Sequence, residues 1–385
     1  MNIVYCIPSL HGAGGMERVL TRKVNYLAAT GKYTITIVTV EQGGKSVFFP
    51  LDESVKRVDL NVDFKSHYNR NLLVKTYLHY KKLKLYKKKL EAYLKQYPAD
   101  ICISLCGKEI DFLGSLTDGS VKMAEVHFAK DFRKQFLLST HKGKVWEWIG
   151  SYRVRSFVDR VKRLDYLVVL TKADRLDWLK DFAEVSYIYN PTEQMADGLP
   201  EQPERKFIAV GRLEPQKGFE YLINSWYFVV GQHPDWVLHI WGEGFCRKRL
   251  EELISRKNLK KHVLLKGTTR DIRKEYLNSY AYVMSSRYEG FPMVLLEASA
   301  CGLPLVSFDC RYGPGEIIQN GLNGFLVPAG DFNKLAKYMC YLIENRVVRD
   351  RMAKTSLEMS KRYDIDLIMN QWMDLFDSLV ARNRK

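Results

Sequence analysis

Short apolar runs alternate along the whole chain with longer stretches whose apolar residues recur every three or four positions. In the first half the runs are Ile3–Ile7, Thr34–Val40, Ile101–Leu105, Val121–Val126 and Tyr166–Leu170. In the second half they are Phe207–Gly211, Trp236–Trp241, His262–Lys266, Ala281–Ser285 and Leu303–Phe308. Many are continuously apolar, as strands covered on both faces are, so they predict parallel sheets. Strands alternating with helical periods predict right-handed βαβ units and doubly wound, Rossmann-like α/β domains.

At 385 residues the chain is too long for one ordinary core, and two domains are expected. Asn190-Pro191-Thr192 closes one unit, a Pro-containing acidic stretch runs to Pro203-Glu204, and a fresh strand begins at Phe207. The expected division is 1–196, 197–362 and a last segment 363–385. In that segment Ile368, Trp372, Leu375, Phe376 and Leu379 make Ile365–Val380 amphipathic, a helix expected to pack on one or both domains. In open parallel sheets a ligand sits at the carboxyl ends of the strands, here in a cleft between the domains.

Composition narrows the class. Hydrophobic residues make up 46% of the chain, which is globular, and no apolar run approaches the roughly 18 residues of a membrane span. The start, Met1 to Pro8, reads as a strand broken by proline, not a signal peptide. Seven scattered cysteines fit a reduced, cytoplasmic protein. Cys102 and Cys106 are the one close pair and have no His or Cys cluster beside them, so no metal site is expected. Net charge is +16, and residues 1–190 hold 32 Lys+Arg against 20 Asp+Glu. The first half is the one expected to meet an anionic partner.

Much of that excess lies in residues 75–97, with Lys81, Lys82, Lys84, Lys87, Lys88 and Lys89 among its eight lysines and Glu91 its one acid. His79, Leu83, Tyr86, Leu90, Tyr93 and Tyr97 fall on one helical face. One reading is a surface helix packing that stripe on its own domain. The other is a helix lying on an anionic membrane, where each lysine is worth about 1 kcal/mol.

Five stretches carry candidate chemistry. In Ser285-Ser286-Arg287-Tyr288-Glu289-Gly290-Phe291-Pro292-Met293-Val294-Leu295-Leu296-Glu297 a loop carboxylate is followed by a proline suited to the first helical position and a second carboxylate in the second turn. The free N–H groups of that turn favour a polar or anionic ligand. Glu289 and Glu297 are spaced to hold two ends of an extended, hydroxyl-rich ligand such as a nucleotide sugar. Arg212 and Lys217, between Gly211 and Gly218, are cations suited to a diphosphate. Gly14 and Gly15 open a helix after the first strand and let the backbone approach a ligand, although Glu17 replaces the third glycine of a dinucleotide fingerprint. Gly242 and Gly244 end another strand, where the chain either passes a nucleotide or simply turns. His127 ends a strand of the first domain.

Together with Asn323-Gly324-Phe325-Leu326-Val327-Pro328 and the run Ser307 to Ile318, these stretches resemble the retaining glycosyltransferases of family 4. The bacterial branch that builds surface polysaccharides and lipid-linked oligosaccharides is the most similar. The resemblance is dense from about 205 to 330 and thin in the first domain beyond the glycine loop and His127. It implies a two-domain GT-B fold, a nucleoside-diphosphate sugar donor, most often UDP-linked, and retention of anomeric configuration. Arg212 and Lys217 match the pair that holds the donor diphosphate, Glu289 the carboxylate near the donor sugar, and Glu297 the one on the ribose hydroxyls. Gly14 and Gly15 match the loop near phosphate and acceptor, and His127 a histidine lining the sugar site. Gly242, Gly244, Gly290, Phe291 and Pro292 complete the expected donor site. The final helix of this fold commonly crosses back to the first domain.

The expected activity is transfer of a hexose or N-acetylhexosamine, without a cofactor or metal, to a polyprenyl-diphosphate-linked saccharide or similar glycan at the inner face of the cytoplasmic membrane. Breaking the anomeric C–O bond puts negative charge on the departing diphosphate, and Lys217 and Arg212 can meet it. Asp364-Ile365-Asp366 is the one Asp-X-Asp string, and it reads as a helix start. The rival readings are a sugar-nucleotide epimerase of the same fold and a basic nucleic-acid-binding protein. The chain contains no recognisable nucleic-acid module, so no nucleic-acid partner is expected. A nicotinamide dehydrogenase is disfavoured because neither glycine loop carries the full fingerprint.

Overall fold

The computed structural model describes residues 1–385 except 65–70, 194, 197, 200–202, 270 and 385, and the side chains of 72 and 73. The expected boundary after residue 196 abuts residue 197, which lies outside the described residues.

Among the described residues thirteen strands form two sheets. The first contains β1 (Asn2–Cys6), β2 (Thr34–Thr39), β3 (Lys56–Asp59), β4 (Ile101–Ser104), β5 (Val121–Glu125), β6 (Tyr166–Val169) and β7 (Val185–Tyr187). The second contains β8 (Lys206–Val210), β9 (Val237–Trp241), β10 (Val263–Gly267), β11 (Ala281–Met284), β12 (Leu305–Asp309) and β13 (Gly324–Pro328). The strand orders are β3-β2-β1-β4-β5-β6-β7 and β10-β9-β8-β11-β12-β13, with every pairing parallel. Each order reverses direction once, between β1 and β4 and between β8 and β11, and such a reversal opens a crevice at the carboxyl edge.

All ten apolar runs are strands. β3, β7 and β13 escape the pattern for separate reasons. β3, Lys56-Arg57-Val58-Asp59, is a largely exposed edge strand without an apolar run. β7 has three residues. β13 begins on Gly324 and ends on Pro328, residues that an edge position tolerates.

Each sheet is covered on both faces by helices. The helix Gly15–Ala29 lays Leu20, Val24 and Leu27 on one face of the first sheet. The last helix, Ile365–Asn383, joins the same cluster through Ile368, Met369, Trp372, Phe376, Leu379 and Val380. Asp364 caps that helix by accepting from the Asp366 N–H at 2.9 Å, as the Asp-X-Asp string predicted. The preceding helix, Arg346–Ser360, belongs instead to the second sheet, with Met352 in its core and the Ser356 carbonyl accepting from Ser299 Oγ at 2.8 Å. The chain therefore passes from one sheet to the other at Lys361–Tyr363.

Aromatic and charged contacts join the two units beside this crossing. Tyr189 stacks on Phe291 at 5.3 Å and meets the edge of Tyr363 at 5.1 Å, while its hydroxyl donates to Glu316 at 2.7 Å. Arg311 pairs with Asp177 at 2.6 Å.

The lysine-rich segment is the helix Leu72–Gln96. It packs on its own domain through Tyr86, Leu90 and Leu94, all fully buried. Lys82 and Lys89 donate to the carbonyls of Asp63 and Leu60, and Lys87 to Ser115 Oγ at 2.8 Å. Half of the six lysines expected to face a partner are thus occupied by the fold itself, which corrects that expectation. Lys81, Lys84 and Lys88 remain exposed, in line with exposed Tyr77 and Tyr80.

Trp372 is 1% exposed and lies under the first sheet although it belongs to the last helix. Trp372→Ala is expected to cost roughly 3–5 kcal/mol of stability in urea unfolding. A loss under about 1 kcal/mol would mean that this helix is not part of the first sheet's core.

Candidate active site

The site is assembled by loops at the reversal point of each sheet. After β8 the chain runs through Gly211 and Arg212 into a short 3₁₀ turn, Pro215–Lys217, and then into the helix Phe219–Gln232. Gly218 links turn to helix in the left-handed region (φ 60°), and a β-carbon there would stand 2.3 Å from the Ser285 carbonyl oxygen. Only glycine allows this approach, and it brings the loop after β8 against the loop after β11. Ser285 Oγ reinforces the contact by donating to the Lys217 carbonyl at 2.9 Å. Lys217 lies along Gly211 and reaches Glu289, Nζ to Oε1 2.7 Å. The two side chains are 15% and 8% exposed, so the pair sits in a medium where charge interactions are strong.

Glu289 continues into Gly290, where a β-carbon would lie 2.8 Å from the His127 carbonyl oxygen of the first unit. The loop that presents Glu289 is thereby fitted against the end of β5. Pro292 is not the first helical residue. It is the cap before the helix Met293–Ala300, with ψ 94°, and no side chain claims the first N–H groups of that helix. Phe291 turns away from the crevice into the Tyr189 cluster.

Glu297, 2% exposed, contacts Arg18 across the crevice and accepts from Tyr276 Oη at 3.2 Å. Arg18 stands on the helix opened by Gly14, so the first glycine loop serves the second carboxylate. A carboxylate offers about four acceptor positions, so the two partners leave part of its acceptor capacity unused. Gly14 faces the Glu17 carboxylate, and beside Gly15 a β-carbon would meet nothing within 4 Å.

Other expected members do not gather here. Arg212 is 69% exposed and its guanidinium pairs with Glu214 at 3.0 Å, not with Glu289. At Gly242, φ 139°, a β-carbon would lie 2.0 Å from the Gly211 carbonyl oxygen, and at Gly244 it would lie 2.4 Å from that of Leu213. These two glycines are accounted for by loop packing, the turn alternative. A cavity of about 650 Å³ lies far from this chemistry, at the amino ends of β1 and β2, lined by Asn2, Thr34, Lys56 and Tyr97. A cavity of about 430 Å³ does lie between the units beside the Pro215–Lys217 turn, lined by Ser139, Thr140 and Lys142 on one side and Glu214, Pro215 and Arg287 on the other.

Two charged residues behind His127 were not singled out from sequence. Glu125 ends β5 and Lys23 lies on the buried face of the helix Gly15–Ala29; they pair at 2.6 Å, each 1% exposed. Their signal was opposite charges at apolar positions, Glu125 in Val121-Lys122-Met123-Ala124-Glu125-Val126 and Lys23 between Leu20 and Val24. The Lys23 ammonium stands 3.3 Å from the ring centre of Trp372, a cation–π contact that ties the last helix to the pair. His127 Nε2 is 3.0 Å from Glu125 Oε1 without the alignment of a hydrogen bond. Burial pushes the Glu125 carboxyl up, but Lys23 and His127 overcome it and hold the group down at about 2. Burial lowers the Lys23 ammonium to about 8 against the pull of Glu125. Both are therefore charged at neutral pH.

Residues 191–359 match the sequence model of the family described as "Glycosyl transferases group 1". An uncharacterized glycosyltransferase of Haemophilus influenzae is 29% identical over 375 residues, covering 96% of this chain and 98% of that protein. A poly(ribitol-phosphate) alpha-N-acetylglucosaminyltransferase of Staphylococcus aureus is 29% identical over 57% of this chain, and the match covers 45% of that protein. The structure of S. aureus TarM in complex with fondaparinux, alpha-GlcNAc-glycerol and UDP superposes with a TM-score of 0.76 at 18% identity, over 97% of this chain and 99% of that one. The chain thus carries a glycosyltransferase group 1 domain, and its two facing parallel-sheet units have the GT-B fold.

Glu125→Gln strands the buried Lys23 charge and is expected to cost roughly 3–5 kcal/mol. Lys23→Met together with Glu125→Gln should recover most of that loss. The Glu125 carboxyl is depressed in the folded state, so its contribution is present above its ordinary value of 4.5 and is lost as pH falls towards about 2. Urea unfolding between pH 7 and pH 2 measures both effects; a double variant no more stable than Glu125→Gln contradicts the pairing.

Proposed function

We propose that the protein is a retaining glycosyltransferase that moves a hexose or N-acetylhexosamine from a UDP-linked sugar to a glycan acceptor in surface polysaccharide or oligosaccharide assembly. The observation that carries this reading is the Lys217–Glu289 pair at the reversal point of the second sheet, with Glu297 on the following helix and His127 across the crevice. The group 1 domain and the UDP held by TarM support it. For the acceptor, the S. aureus relative acts on poly(ribitol-phosphate), and a lipopolysaccharide 1,6-galactosyltransferase of Salmonella typhimurium is 29% identical over 52% of this chain. A polyprenyl-diphosphate-linked saccharide belongs to the same class of anionic, membrane-borne glycans.

The geometry suggests a division of labour. Glu289 holds the Lys217 ammonium in place, Oε1 to Nζ 2.7 Å. A donor diphosphate offers a stronger anion, and Lys217 turns to it while Glu289 takes sugar hydroxyls. As the anomeric C–O bond breaks, the electron pair leaves with the diphosphate, and the ammonium is already positioned to meet it. One such preplaced donor is worth roughly 3–4 kcal/mol of barrier. The first N–H groups of the helix Met293–Ala300 add a positive dipole end. Glu297 has lone pairs left for ribose hydroxyls. Arg212, exposed at the surface, can exchange Glu214 for the diphosphate. The acceptor hydroxyl attacks from the face that the diphosphate leaves, within an ion pair, and gives its proton to the departing diphosphate oxygen as the new C–O bond forms, so that no covalent nucleophile or metal is called on.

No described helix is long and apolar enough to cross a membrane. Peripheral attachment at the inner face of the cytoplasmic membrane is proposed through the outer strip of the helix Leu72–Gln96, where Tyr77, Tyr80, Lys81, Lys84 and Lys88 are exposed.

Three outcomes test the reading. Wild-type protein is expected to bind UDP in calorimetry and to release it from a UDP-sugar with the α-configuration kept in the product, with chelator present. An inverted product, or strict dependence on a divalent metal, contradicts the mechanism. Lys217→Ala should lower kcat by ~10²–10³-fold with a smaller effect on donor affinity, and Glu297→Ala should raise KM for the donor; unchanged kinetics would remove either from the site. For the membrane, anionic liposomes at low salt should retain wild type and release Lys81→Glu/Lys84→Glu/Lys88→Glu, whereas failure of wild type to bind ends that part of the proposal.

A further inference from the structure

The first unit contains cations that the proposed donor chemistry does not use. A cavity of about 340 Å³ opens between the helices Phe132–Thr140 and Lys144–Val161. Its charged lining is Arg133, Arg153 and Arg160, with no carboxylate, and Phe132, Phe136 and Tyr152 supply its apolar walls. A second cavity of about 250 Å³ shares Arg133 and Arg160. It reaches Pro8, just beyond β1, and Gly107, just beyond β4. Those are the two strand ends that flank the reversal point of the first sheet, where the crevice is expected.

The arginines are unevenly paired. Arg160 is held by Asp111, Nε to Oδ1 2.9 Å. Among the described residues Arg133 and Arg153 have no ion pair within 4.0 Å, and Arg133 instead lies over the Phe157 ring at 4.7 Å. Burial lowers the pKa of the Arg133 guanidinium, and the charges of Arg160 and Arg153 push the same way, against Cys106 and Asp111. The second cavity also holds Lys108 beside the acids Glu41 and Asp111. Cations therefore outnumber acids around the pair of cavities, and the first cavity faces cations alone. Guanidinium groups gathered without carboxylates are relieved by an anion that accepts several N–H bonds at once.

The cavities are also close to the chemistry. Phe132, on the wall of the first, meets the ring of Tyr288 edge-on at 5.9 Å, and Tyr288 precedes Glu289. One aromatic layer separates the arginines from the Lys217–Glu289 loop. Phe136 and Tyr152 are 53% and 64% exposed; one face of each is turned to a neighbouring ring, Phe132 at 6.1 Å and Trp148 at 6.2 Å, and the rest of each ring is open to a sugar. Together the cavities fall within the roughly 300–1,000 Å³ typical of small-molecule sites.

We propose that the paired cavities lined by Arg133, Arg153 and Arg160 are a subsite for a phosphate group carried by the glycan acceptor, with its saccharide against Phe136 and Tyr152. The acceptor role rests on the glycosyltransferase reading, whereas the anion site stands on its own observations. Bidentate contacts from two guanidiniums hold the phosphate, and the sugar beyond it extends towards the crevice.

The test is calorimetric titration of the intact protein with inorganic tripolyphosphate, with UDP present at saturation so that donor-site phosphate contacts are blocked. Wild type is expected to bind. Arg153→Gln should weaken binding about tenfold, the worth of one charged hydrogen-bond pair, and Arg133→Gln/Arg153→Gln should weaken it further. Arg153 is exposed, so its variant keeps the test usable if changes at half-buried Arg133 impair folding. Tripolyphosphate that simply competes with UDP, or that binds the arginine variants as it binds wild type, overturns the proposal. Phosphatidylglycerol vesicles are run in parallel. Arginine-dependent vesicle binding with no response to tripolyphosphate would assign the arginines to bilayer headgroups and also overturn it. A wild type that ignores UDP yet binds tripolyphosphate through the arginines would support the anion site while removing the donor reading.

Discussion

Lys217 and Glu289 lie 2.7 Å apart although 72 residues separate them in the chain. Their meeting depends on the order in which the second sheet is wound. β8 and β11 are neighbours, and the chain leaves them in opposite lateral directions, so the loops after them emerge side by side at one edge. Gly218 then sets how near those loops come, because any side chain there would strike the Ser285 carbonyl. A salt bridge so placed is a poor source of stability, since desolvation consumes much of its attraction. What it supplies is position: an ammonium and a carboxylate held together at the reversal point of the sheet.

The first sheet meets this site with a different device. Behind His127 lies the Lys23–Glu125 pair, fully buried and covered by Trp372. Trp372 arrives on the last helix, after the chain has finished the second sheet and crossed back at Lys361–Tyr363. The wall of the crevice in the first unit is thus completed by the carboxyl-terminal helix. Tyr189, Phe291 and Tyr363 pack at the same crossing, and Phe291 belongs to the loop that carries Glu289. The aromatic joint and the loop that carries Glu289 share Phe291, so relative motion of the units at this joint would move Glu289.

The sheets were legible because their strands are buried on both faces and read as apolar runs. What escaped was local chemistry at the edges: polar β3, three-residue β7, and β13 with glycine and proline at its ends. In the second unit Lys217 and Glu289 each follow a strand in a loop, a pattern readable in the sequence, and the structure brings the two together. The cross-links between the units were not readable. Arg18 and Glu297 are 279 residues apart, and no spacing rule joins them. The glycines at 242 and 244 show the converse error, because a requirement for close approach does not say what approaches; here it is the backbone of Gly211 and Leu213. The stripe of the lysine helix holds at Tyr86 and Leu90 but not at Tyr97, which is 54% exposed beyond the last helical residue, and periodicity assigns a face and not the partner of each ammonium: three of the six found partners within the fold.

That last point bears on where the charge of the first unit goes. An excess of Lys and Arg over Asp and Glu is a statement about a surface, and it divides here into distinct environments. Lys81, Lys84 and Lys88 lie on the outside of a helix with exposed tyrosines, hydrated and screened, where attraction to a bilayer acts over about a Debye length of 8–10 Å. Arg133 and Arg153 line a cavity beside the crevice, where guanidinium groups, weakly hydrated and rigid, can act through short directional contacts. Lysine outside and arginine inside is the division expected if one face holds the protein near a membrane and the other holds a single phosphate group. An enzyme working on a membrane-borne anionic glycan needs both, the first to raise local concentration and the second to set which hydroxyl reaches the donor sugar.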